Sequence, residues 1–164
     1  MHAGDFYALW IMPEGSAYTL TDSYITKLSV AYNLPRFEPH LTLLSGIRNP
    51  VTSTLRGLAG GLPPFRIRLA SQPEYLNEYF RCLFIKADET PELIDAFSKA
   101  SQLFGYEGET YFPHLNLAYG DLPLETKRVM IQKLGDIPQI EFEARQLSLV
   151  HASGGNACCY LEGG

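Results

Sequence analysis

A ten-residue stretch of this chain occurs twice. Phe37-Glu38-Pro39-His40-Leu41-Thr42-Leu43-Leu44-Ser45-Gly46 aligns without a gap on Tyr111-Phe112-Pro113-His114-Leu115-Asn116-Leu117-Ala118-Tyr119-Gly120. Proline, histidine, two leucines and the closing glycine coincide, and an aromatic opens each copy. Only four histidines occur in the chain, and two of them fill the same slot of the repeat. The copies lie about half a chain apart, so the fold must present two similar strands from two similar halves. Proline disfavours the helical region for the residue before it, which makes Glu38 and Phe112 extended. Strand side chains alternate, so His40, Thr42 and Leu44 share one face while Leu41 and Leu43 share the other. In the second copy His114, Asn116 and Ala118 oppose Leu115 and Leu117 in the same way.

The rest of the chain fits that symmetry. Residues 6–12 are β-rich and stop at Pro13, which predicts a strand. Apolar residues at Leu20, Tyr24, Leu28 and Ala31 predict a helix over 18–32, with Thr19 or Thr21 ahead of it. A strand over 40–46, a helix over 50–59 and a strand over 65–69 follow. Residues 80–87 read as a strand. Thr90-Pro91-Glu92 opens a helix that Gly105 ends. After the second motif strand, 114–119, come a helix near 124–134, a strand over 139–150 and another over 157–161, the last two joined around Gly154-Gly155. The expected architecture is α+β with antiparallel sheets, approximate two-fold symmetry and a central cleft. Residues 1–164 are expected to form one domain of two interleaved lobes.

Composition narrows the function. The net charge of −5 is the wrong sign for gripping a long polyanion, and so favours a small substrate. The first apolar stretch is too short to span a bilayer and lacks the basic run of a secretion signal. Cys82, Cys158 and Cys159 are odd in number and form no Cys-x-x-Cys. A cytoplasmic monomer with no membrane contact is expected.

Two imidazoles on matched strands can serve as acid and base on opposite sides of one bond. Histidine suits both tasks because its ordinary pKa of about 6.5 leaves both protonation states accessible near neutrality. Same-face neighbours lie roughly 6.5–7 Å apart along a strand, close enough for Thr42 and Asn116 to donate to the non-bridging oxygens of a phosphate that the histidines flank. The chain lacks the clustered carboxylates of a two-metal phosphoesterase, and no short spacing supports a zinc site. No metal or other cofactor is expected.

Two His-x-Thr/Ser-x motifs half a chain apart resemble those of the 2H phosphoesterase superfamily. Residues 35–43 and 113–119 are most similar to the plant and yeast cyclic phosphodiesterases, as are Trp10-Ile11-Met12-Pro13-Glu14 and Tyr79-Phe80-Arg81-Cys82-Leu83-Phe84. The resemblance implies a two-lobed fold and metal-free hydrolysis of ADP-ribose 1″,2″-cyclic phosphate or nucleoside 2′,3′-cyclic phosphates. It also implies catalytic roles for His40 and His114 and phosphate contact for Thr42 and Asn116. Asn116 departs from the pattern, since the family usually carries Ser or Thr there. An amide still donates, but it is bulkier and its oxygen would repel a phosphate if turned inward.

Tyr119, Trp10, Tyr79 and Phe80 are candidates to stack a nucleobase. His151 is a candidate third cleft histidine, and Arg36, Arg48 and Arg81 are candidates for a second phosphate; surface roles are the alternative for each. The partner expected is a small phosphorylated nucleotide, with RNA ends as a variant. Two other functions stand beside hydrolysis of small cyclic phosphates. One is an RNA 2′,3′-cyclic phosphodiesterase or 2′–5′ RNA ligase-like enzyme, and the other a non-catalytic nucleotide-binding module.

Overall fold

The structure, a computed structural model, describes residues 6–50, 52–108, 110–151 and 156–163. Strand β1 (Tyr7–Ile11) leads through α1 (Gly15–Tyr32) to β2 (Leu41–Ile47), followed by α2 (Thr52–Gly60), β3 (Phe65–Glu74) and β4 (Leu83–Ala87). Then come α3 (Pro91–Phe104), β5 (His114–Ala118), α4 (Leu124–Leu134), β6 (Ile140–Ala144), β7 (Gln146–His151) and β8 (Asn156–Tyr160). Helix α3 follows its sequence signals closely. Thr90 Oγ1 accepts from the Leu93 N–H at 3.2 Å, Pro91 opens the first turn, and Gly105 ends the helix at φ 65°.

Strand β3, expected over 65–69, runs on to Glu74, and three other boundaries differ from expectation. Helix α1 begins at Gly15, directly after Pro13-Glu14, and its threonines lie inside it. Thr19 and Thr21 turn their hydroxyls onto the carbonyls of Gly15 and Ala17, at 3.3 and 2.7 Å, instead of capping the helix. Strand β4 starts only at Leu83, because residues 76–81 form a turn closed by the Leu76 N–H on the Arg81 carbonyl at 3.1 Å. The strand expected over 139–150 is two strands divided at Arg145. There the chain leaves its pairing with β3 and takes up pairing with β1. Strand β8 pairs with β7, and the Gly154-Gly155 turn lies outside the described residues.

The eight strands described form one antiparallel sheet in the order β6-β3-β4-β5-β2-β1-β7-β8. The run β1–α1–β2 in one half is matched by β4–α3–β5 in the other. The approximate two-fold relating them passes between β2 and β5, where Leu41 faces Leu115. Only Arg145 separates β6 from β7, yet they stand far apart in the strand order. In a flat sheet, six strand spacings of about 4.8 Å would separate them. One residue reaches about 3.5 Å. The sheet must therefore curl.

One core cluster joins Leu41, Leu43, Leu115 and Leu117 of the motif strands to Ile25 and Leu28 of α1 and to Leu93 and Ala96 of α3. Helix α1 packs against β5 and β6, and α3 against β2 and β3, so each helix covers the other half's motif strand. Burying each leucine contributes about 1.5–3 kcal/mol, which anchors both strands. The period of two then turns the intervening side chains away from the helices, into a central cleft. Among the described residues, no helix is long and apolar enough to cross a membrane.

Candidate active site

The pairing at the centre of the sheet decides which groups meet. Extending the Leu41–Leu115 register by one residue each way sets His40 across from Asn116 and Thr42 across from His114. Cross-strand Cβ atoms in such pairs stand about 4.5–5.5 Å apart. Each histidine therefore has the other motif's donor as its cross-strand neighbour. All four candidate residues share the cleft face.

Both rings are held alike. His40 Nδ1 lies 2.7 Å from the Glu38 carbonyl oxygen, and His114 Nδ1 lies 2.7 Å from that of Phe112. A carbonyl only accepts, so Nδ1 carries the proton in each ring and Nε2 is the acceptor. The proline before each histidine keeps the preceding residue extended and so directs that carbonyl.

Their surroundings differ. Trp10 stacks on His40 with centroids 3.6 Å apart and planes 10° from parallel, and Phe37 meets it edge-on at 6.1 Å. His114 meets Phe84 edge-on at 5.4 Å and Phe112 at 5.2 Å. The two-fold explains the likeness, since Trp10 pairs with Thr42 as Phe84 pairs with Asn116. His40 is only 5% exposed. Burial lowers its pKa to about 4, the Glu38 carbonyl raises it, and the charge of His114 lowers it further. His114 is lowered too, first by burial and also by Arg81, against the raising effects of the Phe112 carbonyl and Glu78. Loss of hydration penalises the imidazolium more than one carbonyl favours it.

Thr42 and His114 line a cavity of about 140 Å³ together with Ser45, Tyr111 and Phe112. Asn116 is buried, and its Nδ2 donates to the Tyr119 hydroxyl at 3.4 Å. The amide keeps a second N–H, while Oδ1 is buried without a hydrogen-bond partner. Tyr119 touches Phe37 at 4.2 Å and Phe80 at 5.6 Å, and lies parallel to Tyr79 at 6.4 Å. Trp10, Tyr119 and Tyr79 thus belong to aromatic surfaces flanking His40 and Asn116.

Arg81 extends over Phe112 at 5.6 Å, and Glu78 holds it through two bonds of 2.6 and 2.9 Å. The Arg36 guanidinium bonds both oxygens of Asp22 on α1 at 3.2 Å. Arg48 lies over the Phe6 ring at 4.9 Å. His151 packs on Tyr7 at 4.4 Å and shares with Trp10 the lining of an adjoining cavity of about 270 Å³. Among the described residues, no group of three or more His, Cys, Asp or Glu side chains is placed to hold a metal ion.

Several contributors escaped the sequence reading. Phe37, Phe84 and Phe112 pack the histidines, and Lys86 lies over Phe112 at 5.5 Å. Phe37 and Phe112 flank the repeated Pro-His, a local signal that was present. Phe84 and Lys86 reach the site through cross-strand register alone.

No family model matches the chain. The cyclic phosphodiesterase of Arabidopsis thaliana is 24% identical over 128 residues, covering 76% of this chain and 70% of the plant protein. TT0787 of Thermus thermophilus shares the fold with a TM-score of 0.61 at 18% identity, over 96% of this chain and 98% of that one. LigT of E. coli complexed with 3′-AMP gives 0.55 at 14% identity, over 96% and 95% of the two chains. The same E. coli protein complexed with NADP+ gives 0.57 at 15% identity over the same shares. The sequence likeness to the plant cyclic phosphodiesterase and the fold shared with the bacterial structures both agree with the resemblance carried by the two motifs.

Proposed function

We propose that the chain is a metal-independent cyclic phosphodiesterase that opens a ribose cyclic phosphate by in-line attack of water. The observation that carries this reading is the matched tethering of the two imidazoles. Each gives Nδ1–H to a main-chain carbonyl, leaving Nε2 as the exchangeable position. A neutral Nε2 takes the proton of the attacking water, and a protonated one supplies a proton to the leaving oxygen. The P–O bond to one ribose oxygen breaks as the bond to water oxygen forms, giving a phosphomonoester and a free hydroxyl. Thr42 and the remaining Asn116 N–H donate to the non-bridging oxygens as charge builds there. Trp10, Tyr119 and Tyr79 offer faces for a base, and Arg81 a cation beside His114. Arg36, engaged with Asp22, has no part in this reading.

The substrate class is a nucleoside 2′,3′-cyclic phosphate or ADP-ribose 1″,2″-cyclic phosphate. The plant relative is itself named a cyclic phosphodiesterase, which supports the reading. Cys82, Cys158 and Cys159 are free thiols, as a reducing cytoplasm favours.

The test uses purified protein with each substrate and EDTA, followed by phosphorus NMR. A new monoester signal is expected, and His40→Ala or His114→Ala should each lower kcat by at least about 100-fold, as loss of a general acid or base does. Near wild-type turnover by either variant would remove the mechanism. Binding of a 2′-nucleotide without hydrolysis would instead mark a binding module.

A further inference from the structure

One buried side chain has no part in the proposed chemistry. Lys127, in the first turn of α4, is 1% exposed and ranks among the largest fully buried side chains. Removing a cationic side chain from water costs more than one hydrogen bond returns, so such a residue wants a reason. Its Nζ donates to the Leu76 carbonyl. Leu76 opens the 76–81 turn, which one further bond ties to the β5–α4 region: the Gly120 N–H donates to the Tyr79 carbonyl at 3.1 Å. Just before the turn, the Tyr75 hydroxyl accepts from Arg128 Nε of α4 at 3.2 Å.

That turn carries the outer aromatic surface of the cleft. The Tyr79 ring is 3° from parallel with Tyr119. Phe80 stands edge-on to both, at 4.8 Å from Tyr79 and 5.6 Å from Tyr119, and is 69% exposed. Leu76, Tyr79 and Phe80 are all exposed on this one turn, a grouping of apolar side chains of the kind that a ligand covers. Arg81, the last residue of the turn, reaches over Phe112 beside His114.

We propose that Lys127 is a positioning residue for the nucleobase: it fixes the turn from behind so that Tyr79 and Phe80 extend the stacking surface begun by Tyr119. The inference rests on the cyclic phosphodiesterase reading and deepens it. The preferred substrates are cyclic phosphates that carry a base, in preference to bare ribose cyclic phosphates.

The test compares 2′,3′-cyclic AMP with the 2,3-cyclic phosphate of methyl riboside, whose base is replaced by methoxy, using the full chain. Lys127→Met should raise KM for the base-bearing substrate about fivefold or more, the lower end of what losing one base–aromatic contact produces, with kcat little changed. KM for the base-free substrate should move less than about twofold, since nothing there meets the turn. Phe80→Ala, on an exposed ring, should reproduce that selectivity, and it decides the matter if Lys127→Met does not fold. Equal changes with both substrates, or no change with either, would overturn the proposal. Failure of wild-type protein to hydrolyse either compound would instead count against the phosphodiesterase reading. The same comparison then moves to binding of 2′-AMP against methyl riboside 2-phosphate, followed by fluorescence of the single tryptophan, Trp10. The same outcomes apply there, and absence of binding to both would overturn both readings.

Discussion

Trp10 lies flat on His40, with ring centroids 3.6 Å apart and planes 10° from parallel. Two opposed effects follow. The indole excludes water, which disfavours the imidazolium, and its π-face attracts a cation, which favours it. Burial takes His40 from 6.5 to about 4, or roughly 3 kcal/mol. An aromatic face returns about 0.5–2 kcal/mol to a cation. Desolvation by the whole site wins, so Trp10→Ala, which lets water reach the exposed ring face, should raise the His40 pKa toward its ordinary value. Titration of the His40 ring by NMR would show this, and a downward shift would mean that the π-face dominates.

In the proposed mechanism the paired histidines also set the pH profile. The reactive form holds one ring protonated and one neutral, whichever serves as acid. kcat/KM should therefore be bell-shaped, between limbs that belong to the coupled pair. Both pKa values are lowered, that of His40 to about 4. The maximum should lie on the acid side of pH 6.5, the ordinary histidine value. A maximum above pH 7 in a buffer series would contradict the depressed pair.

Stability should respond to the same burial. The unfolded His40 ring titrates near 6.5 and the folded ring near 4, so between those values the unfolded state binds the extra proton. Its contribution is complete above about pH 6.5 and is lost as the pH falls toward 4. Urea unfolding at pH 4.5 should show a loss of about 2–3 kcal/mol from this group relative to pH 7. In His40→Gln that part of the slope should disappear; an unchanged slope would place the proton uptake elsewhere.

Asn116 offers a test of the unusual second motif. Its Oδ1 is buried without a partner, a condition that costs about 1–3 kcal/mol. Asn116→Ser removes that acceptor and restores a hydroxyl, so turnover should be kept or raised, with no loss of stability. Asn116→Asp should lower kcat/KM at least about tenfold, because a carboxylate facing the phosphate repels it. An inactive Asn116→Ser would give the amide a role that a hydroxyl cannot fill.

The repeat made much of this legible in advance. The Pro-His pairs mark where the motif strands begin, and alternation separates His40 and Thr42 from Leu41 and Leu43. Thr90, Pro91 and Gly105 delimit α3 because caps act within one turn. Arg145 could not be recognised as the end of a strand, since Gln139 to Val150 has uninterrupted strand character. Only its partners, β3 on one side and β1 on the other, divide it. Arg36 is a candidate phosphate ligand by its charge, and only the structure shows that its guanidinium pairs with Asp22 of α1 at the surface.

By itself, the sequence determined the two motif strands, the faces of their side chains and the residue types that the proposed function sets against a phosphate. These follow from local rules, namely the φ restriction at proline and the period of two. Tertiary structure decided the register that sets His40 across from Asn116, the indole that lies on His40, and the depth that holds its pKa down. Each depends on where the curled sheet brings separate strands together, and spacing along the chain carries no information about that depth.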